Sequence, residues 1–269
     1  MLNRIVLYAV SLPVGYLIGS ISFARLIFAK LKPGCEPERL RTPTKDGKAE
    51  LVSHAIGATN VMMAFGPRWG MLATALDIMK AFLPVLALRI VFPGEYYHLT
   101  LATAILAGHL WPVWYTFVGG GGNSCIIGML LAVSPLGVLV THAGGVIIGK
   151  ITPVFAFLGG VGLTIPWFVF RNGIFSPETG FALVIFLLYL AGQLPEAREY
   201  NRLKRLGYEL DSGHVMDVMR RSAATGRPGV EVSGTGECPQ ACENENTTEP
   251  GGHAGSHSEG AGDGELPSE

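Results

Sequence analysis

Long apolar stretches, separated by short polar or glycine-rich segments, make up most of the chain before residue 206. The apolar stretches are residues 5–29, 69–92, 99–118, 125–170 and 179–194. A helix needs about 20 apolar residues to cross the hydrocarbon core of a bilayer, and these stretches approach or exceed that length. The pattern therefore predicts an all-α, polytopic membrane protein.

The stretch at residues 125–170 is too long for one crossing. Its 46 residues would form a helix of roughly 70 Å at 1.5 Å per residue, so it must fold back at least once. Prolines and glycines inside it, among them Pro135, Gly144, Gly145 and Pro153, provide places to turn.

Basic residues set the predicted orientation, because loops rich in lysine and arginine stay in the cytoplasm. Residues 30–50 hold six of them, Lys30, Lys32, Arg39, Arg41, Lys45 and Lys48, so the N-terminus is predicted outside. Residues 196–205 are also basic, yet six crossings would leave them outside. A seventh crossing, made by three short passes within residues 125–170, removes this conflict. About seven transmembrane helices are therefore predicted.

Composition agrees with a membrane domain followed by a polar tail. The chain has 269 residues, of which 49% are hydrophobic and 15% charged, and its mean hydropathy is +0.37. No basic domain is present, so nucleic acid is not an expected partner. Residues 1–206 are predicted to form the membrane domain. Residues 207–269 are predicted to be a polar, largely disordered cytoplasmic tail.

One pattern in this tail has a spacing close to that of a zinc finger. Cys238, Cys242, His253 and His257 follow a C-x3-C-x10-H-x3-H pattern. The residues between the two pairs include no apolar core of the kind that a finger needs. The sequence favours an unstructured tail over a structural zinc site, and no metal site is predicted.

Two segments rich in small residues adjoin the apolar stretches. Residues 53–61, the Ser53 loop, read Ser-His-Ala-Ile-Gly-Ala-Thr-Asn-Val, and residues 119–124, the glycine loop, read Gly-Gly-Gly-Gly-Asn-Ser. Such segments present backbone N–H groups, hydroxyls and amides without bulky walls, which suits phosphate or headgroup binding. The predicted topology places both loops on the cytoplasmic side, where they could share one site.

Several short motifs occur in a fixed order along the chain. They are residues 16–21 (Tyr-Leu-Ile-Gly-Ser-Ile), 53–61, 77–80 (Asp-Ile-Met-Lys), 108–113 (Gly-His-Leu-Trp-Pro-Val) and 117–122 (Phe-Val-Gly-Gly-Gly-Gly). Their series resembles the bacterial acyl-phosphate:glycerol-3-phosphate acyltransferase family, known as PlsY, over roughly residues 10–206. Residues 134–135 and 198–206 are similar to further landmarks of that family.

The resemblance implies a multi-pass enzyme of the bacterial plasma membrane. Such an enzyme would move a fatty acyl group from acyl phosphate to glycerol 3-phosphate, giving lysophosphatidic acid, and membrane lipids would surround it. No cofactor is expected. An acyl phosphate is already activated, so the protein mainly has to position two reactants and neutralise their charge.

Carried onto the matching positions, the resemblance identifies candidate residues. The expected catalytic residues are Ser53, Asn60, Lys80 and His109. The expected substrate-binding residues are Ser20, Gly57, Ala58, Thr59, Asp77, Gly119, Gly120 and Gly122.

Among the positions that depart from the family pattern, three lack an expected positive charge. Met63, Val118 and Gly121 stand where the family has arginine or lysine. A charge-assisted phosphate contact is worth about 1.5–3 kcal/mol, so losing three should weaken phosphate binding strongly. Candidates for compensation are His54, Arg68, Lys80, Arg39 and Arg41. A catalytically impaired membrane homologue that binds a lipid or a protein partner is therefore the alternative hypothesis.

Simpler roles remain open for the same residues. Asp77 and Lys80, three positions apart on one helix face, could neutralise each other, and His109 could form a hydrogen bond between helices. Ser53 and Asn60 could only shape a turn. The four glycines could be a hinge, and Arg198 and Asn201 an interfacial anchor.

Overall fold

The computed structural model describes residues 2–151 and 155–228. They belong to the first of the two units into which the chain divides, Met1–Gly236. Their helices are α1 (Leu2–Gly19), α2 (Phe23–Leu31), α3 (Ala58–Phe65), α4 (Pro67–Val91), α5 (Tyr97–Leu110), α6 (Asn123–Val133), α7 (Pro135–Ile151), α8 (Phe155–Gly162), α9 (Thr164–Asn172), α10 (Pro177–Arg205) and α11 (Ser212–Thr225). The strands are β1 (Arg41–Pro43) and β2 (Glu50–Val52), and Val113–Tyr115 is a 3-10 helix.

Contacts between helix ends show how the helices run. Helices α1 and α5 are parallel, because Arg4 pairs with Glu95 at 2.7 Å near their starts and Tyr16 donates to the Trp111 carbonyl at 2.6 Å near their ends. Helices α4 and α6 finish close together, because Arg89 near the C-terminus of α4 donates to the carbonyl of Val133, the last residue of α6, at 2.9 Å. We call the end that holds the Ser53 loop and the glycine loop the loop end, and the other the opposite end.

The apolar stretch at residues 125–170 makes three passes. Helix α6 leaves the loop end, α7 returns, and α8 with α9 leaves again, since Gly137 lies against Trp167 and Gly159 against Ile148. Helix α10 then runs back, and its Glu196 meets Ser53 at the loop end. With α1–α2, α4 and α5, the described helices pass through the bundle seven times, as predicted.

The outer surface of the bundle is apolar. Leu83, Leu139 and Leu187 are each more than half exposed, and they lie on three different passes. Three helical segments are long and apolar enough to span a bilayer, namely Arg4–Leu31, Pro67–Val91 and Pro177–Arg205. A surface of this kind is stable only against lipid, so the all-α membrane architecture predicted from the sequence is confirmed.

Two predicted spans are interrupted in the structure. The stretch at residues 5–29 breaks after Gly19, and α2 starts afresh at Phe23 with Ser22 as its N-cap. The stretch at residues 99–118 ends as a helix at Leu110. There Pro112 cannot donate a backbone hydrogen bond, and the chain turns into the segment that leads to the glycine loop.

A small polar layer covers the loop end. Strands β1 and β2 pair antiparallel, and Thr44 bridges Leu210 beyond α10. The Lys45 ammonium donates to Glu209 at 2.8 Å, which raises the pKa of Lys45 and lowers that of Glu209. Helix α11 follows, so the region predicted as a tail from residue 207 begins with ordered structure. The possible zinc ligands Cys238, Cys242, His253 and His257 lie outside the described residues.

Candidate functional site

The Ser53 loop and the glycine loop are joined directly. The Ile56 backbone N–H donates to the Gly119 carbonyl at 2.9 Å. On the other side of the glycine loop, the Gln193 side-chain amide donates to the Gly121 carbonyl at 3.1 Å. The two segments that the sequence singled out therefore form one continuous polar surface at the loop end, with α10 beside it.

Asn60 holds the Ser53 loop in shape. Its side-chain oxygen accepts from the Gly57 N–H at 2.9 Å, and its amide nitrogen donates to the Glu38 carbonyl at 2.8 Å. Both polar groups of this buried residue are thus used within the protein.

The start of α3 offers free backbone amides. Gly57 precedes α3, and the N–H groups of its first residues, Ala58 and Thr59, have no preceding helical turn to supply an acceptor. These amides suit an anion.

Ser53 has a partner that sequence reasoning missed. Its hydroxyl donates to a Glu196 carboxylate oxygen at 3.1 Å, across 143 positions of sequence. Its backbone N–H donates to the Leu40 carbonyl at 2.8 Å. Ser53 and Glu196 are both partly exposed, so a hydroxyl–carboxylate pair is available to a reactant at the loop end. No local signal in the sequence connects the two residues.

Asp77, Lys80 and His109 form one buried cluster. The Lys80 ammonium lies 2.8 Å from Asp77 Oδ1 and 3.0 Å from His109 Nδ1. Each of the three residues is less than a tenth exposed. The two simpler roles suggested by sequence, a neutralising pair on α4 and a hydrogen bond between helices, are both what the structure shows.

Lys80 also closes the break between α1 and α2. It donates to the Ile21 carbonyl at 2.7 Å and approaches the Gly19 carbonyl at 3.3 Å. These carbonyls lie at the end of α1 and just beyond it, where helical hydrogen bonding stops. An ammonium has three donors, and neighbours within the protein already occupy them. Lys80 therefore positions helices, and a direct role on the reactants stays a prediction.

The cluster has the residue types of a metal site but already holds a cation. Ligand atoms of Asp77, His109 and Cys125 lie within 4.8 Å of one another. The Lys80 ammonium, however, contacts both the carboxylate and the imidazole of this group. A metal ion there would either displace the Lys80 ammonium from its partners or be buried beside it. Both outcomes are strongly unfavourable.

Close packing and backbone conformation explain why most positions of the glycine loop require glycine. A Cβ on Gly119 would lie 2.1 Å from the His109 carbonyl oxygen, and one on Gly120 would lie 2.4 Å from the His109 ring. Gly122 has φ +88, which L-residues rarely adopt. Gly121, by contrast, has no neighbour within 4 Å. Three of the four glycines are thus required by fit or conformation, and Gly121 faces open space.

Ser20 has a supporting role in the structure. Its hydroxyl donates to the Tyr16 carbonyl at 2.8 Å and accepts from the Val113 N–H at 3.4 Å. The residue is fully buried. It joins the end of α1 to the segment before the glycine loop, and its role as a substrate contact stays a prediction.

The segment before the glycine loop is strained. Thr116 and Phe117 have φ values of 50 and 60, in the left-handed region. For residues other than glycine this costs about 1–2 kcal/mol each and occurs most often at functional sites. The preceding Tyr115 stacks on the Arg25 guanidinium, with Cζ 4.5 Å from the ring centroid.

An apolar groove of about 530 Å³ runs between α1–α2 and α4. Its wall residues are Ile18, Phe23, Leu76, Met79, Lys80, Leu83, Pro84 and Ala87. Met79 and Leu83 are 40% and 53% exposed, so the groove opens on the side of the bundle. Its dimensions and apolar walls fit an alkyl chain.

The basic segment at the end of α10 faces away from Ser53. Glu196 and Leu203 lie on the inner face, whereas Arg198, Asn201, Arg202 and Arg205 line a separate cavity of about 510 Å³. At 3.6 residues per turn, positions 196 and 198 point in nearly opposite directions. These arginines therefore do not replace the missing cations of the loops.

Comparison with known proteins identifies the family. The family model for glycerol-3-phosphate acyltransferase matches residues 9–203. A glycerol-3-phosphate acyltransferase from Anaeromyxobacter dehalogenans is 35% identical over 140 residues, which are 51% of this chain and 64% of the relative. One from Aquifex aeolicus is 37% identical over 121 residues, 45% of this chain and 56% of the relative. These matches thus span less than two thirds of the relatives' length.

Solved structures agree with the sequence matches. Crystal structures of PlsY, an integral membrane glycerol 3-phosphate acyltransferase, superpose on this chain in a glycerol 3-phosphate form and a lysophosphatidic acid form. The first has a TM-score of 0.59 at 26% identity, and the match covers 75% of this chain and 94% of the other. The family model covers most of the present chain. The protein therefore belongs to the glycerol-3-phosphate acyltransferase family.

Proposed function

We propose that the protein transfers a fatty acyl group from acyl phosphate to glycerol 3-phosphate, giving lysophosphatidic acid for phospholipid synthesis. The hydrogen bond between Ile56 and Gly119 is the observation that supports this most strongly, because it places the two family loops side by side. The relatives named as glycerol-3-phosphate acyltransferases and the PlsY glycerol 3-phosphate form support the choice of acceptor.

The two reactants fit different parts of the site. The acyl chain of the donor would lie in the apolar groove between α1–α2 and α4. Its phosphate and that of glycerol 3-phosphate would lie at the loop end, where the first N–H groups of α3 are available. This division lets the lipid part stay in the bilayer while the charged parts stay in water.

We propose that Ser53 and Glu196 handle the proton. The 1-hydroxyl oxygen of the acceptor attacks the acyl carbon, the bond from that carbon to the phosphate oxygen breaks, and inorganic phosphate leaves. The hydroxyl proton passes to Ser53 while the Ser53 proton moves to Glu196, along their 3.1 Å hydrogen bond. The ester oxygen is then neutral, and Glu196 passes its new proton to the departing phosphate, which leaves as hydrogen phosphate.

The buried cluster maintains the geometry of the site. His109 contacts the glycine loop through Gly119 and Gly120, and Lys80 joins His109 to the break between α1 and α2. Asp77 neutralises the Lys80 charge. Such a network can place the groove and the loops relative to each other without touching the reactants.

We further propose that the protein lies in the bacterial plasma membrane with its loop end in the cytoplasm. Six lysines and arginines in residues 30–50, and the basic end of α10, lie at this end. The N-terminus would then be outside. Glycerol 3-phosphate, a charged metabolite, would reach the site from the cytoplasm.

The test is a reconstituted assay. Purified protein in lipid nanodiscs is given palmitoyl phosphate and radiolabelled glycerol 3-phosphate, and lysophosphatidic acid and inorganic phosphate are measured together. We expect equal amounts of both products, and none from heat-inactivated protein. Palmitoyl-coenzyme A as donor gives the control for donor choice. Absence of product from folded protein over a wide range of both substrates would refute the proposal.

A second candidate function is binding without catalysis. It is favoured by the missing cations, since Met63 is only 5% exposed and Val118 and Gly121 bear no charge. Gly121 faces open space and Val118 is partly exposed, so lysines are introduced at these two positions, whereas Met63 is buried and is left unchanged. If the wild type is inactive and the Val118→Lys/Gly121→Lys variant is active, a lipid- or partner-binding homologue is the better description.

A further inference from the structure

Three cations expected at the loops are absent, yet the loop end contains a buried arginine that no family motif includes. Arg25, on α2, is 9% exposed. Of the residues whose burial is described, it and Lys80 are the buried lysines and arginines, and Lys80 is already paired with Asp77. Arg25 therefore has to be explained separately.

The Arg25 guanidinium has unused donors. Its Nε–H is enclosed without an acceptor, and within residues 2–151 and 155–228 its terminal amino groups make no hydrogen bond or ion pair. The guanidinium lies over the face of Tyr115. Only Nε is fully enclosed, so the terminal amino groups stay accessible, and an anion that pairs with them would offset the cost of burying the rest of the group.

Arg25 also lies where both loops converge. Tyr115 precedes the strained Thr116–Phe117 turn that leads into the glycine loop. Glu36 and Arg39 act electrostatically on Arg25, and the intervening Glu38 carbonyl holds Asn60 of the Ser53 loop. On the inner face of α2, Ala24 packs in one cluster with Val61 of α3. Arg25 is thus adjacent to the segments that position each loop.

We infer that Arg25 binds the phosphomonoester group of a substrate and supplies charge that Met63, Val118 and Gly121 lack. A guanidinium can bind two phosphate oxygens at once, which a lysine cannot do. Tyr115 covers one side of the guanidinium, and the terminal amino groups would contact the ligand. The inference rests on the proposed function for the identity of the substrate, but not for the chemistry of the bound group.

Binding measurements test this without turnover. Calorimetry on nanodisc-embedded protein compares glycerol 3-phosphate, dodecyl phosphate as a stable mimic of the donor, and inorganic phosphate. For Arg25→Gln we expect the dissociation constant of at least one organic phosphate to rise about tenfold or more. Whichever ligand shows the larger change is the one that Arg25 holds.

Two further variants make the result decisive. Arg25→Lys keeps the charge and the fold, and we expect it to bind several-fold more weakly than the wild type because the two-point contact is lost. Arg202→Gln removes an exposed cation on the outward face of α10 and should leave binding unchanged. Wild-type affinities in both Arg25 variants, or no phosphate binding by the wild type, would overturn the inference.

The outcomes also separate this inference from the proposed function. A wild type that binds glycerol 3-phosphate through Arg25 but forms no lysophosphatidic acid supports the role of Arg25 and refutes the activity. A wild type that is active, with Arg25→Gln equally active and equally strong in binding, supports the activity and refutes the role of Arg25.

Discussion

The backbone amide of Ile56 donates to the carbonyl of Gly119 and so joins two loops that lie more than sixty positions apart in sequence. If this bond builds the site, removing the donor should weaken substrate binding. Ile56→Pro deletes the N–H, and we expect a lower unfolding temperature and a KM for glycerol 3-phosphate raised several-fold, because a lost hydrogen bond costs about 0.5–1.5 kcal/mol. Ile56→Val keeps the amide and serves as control. An unchanged KM in Ile56→Pro would show that the loops act independently.

A pair of neighbouring glycines offers a matched test of close packing. Gly119→Ala puts a methyl group against the His109 backbone, whereas Gly121→Ala meets nothing within 4 Å. We expect the first to lower the free energy of unfolding by about 1–3 kcal/mol and to reduce activity, and the second to change neither. Thermal unfolding in detergent and the product assay measure both effects. Equal sensitivity at the two positions would favour a flexible hinge.

The Asp77–Lys80 pair should be sensitive to removal of one partner. Lys80→Met leaves Asp77 buried without its counter-ion, and we expect a loss of about 3–5 kcal/mol in stability. Asp77→Asn combined with Lys80→Met removes both charges and should recover much of that loss. Unfolding titrations of the three variants give the coupling energy. A Lys80→Met variant that is inactive but fully stable would instead restore Lys80 to the catalytic residues.

The Ser53–Glu196 pair gives a kinetic prediction. Ser53→Ala and Glu196→Gln should each lower kcat by about 10²–10⁴-fold, the usual range for a proton-transfer group, with little change in stability. Because the two residues act in one relay, the double variant should be about as slow as the slower single variant. Additive losses would mean that Ser53 and Glu196 act separately.

Sequence reasoning succeeded where local pattern and topology decide the outcome. It predicted the all-α membrane bundle, the three passes within residues 125–170 and the proximity of two small-residue loops. Asp77 and Lys80 were expected on one helix face because three positions make nearly one turn, and they pair there. The positive-inside argument for a seventh crossing agrees with the seven passes of the described helices.

The contacts that sequence reasoning missed join residues that lie far apart in the sequence. Hydropathy continues through residues 5–29, so it does not show that Ser22 caps a new helix or that Lys80 takes up the carbonyls at the break. The acceptor for Ser53 is 143 positions away, on α10. Nothing in the apolar pattern around Arg25 shows that the fold closes around it. Such contacts arise only once helices pack.

The groove beside Met79 and Leu83 opens on the flank of the bundle. If the proposed acyl donor binds there, it enters sideways from the leaflet without crossing water. Turnover should then follow the mole fraction of donor among the surrounding lipids, so adding inert detergent or lipid at fixed total donor slows the reaction by surface dilution.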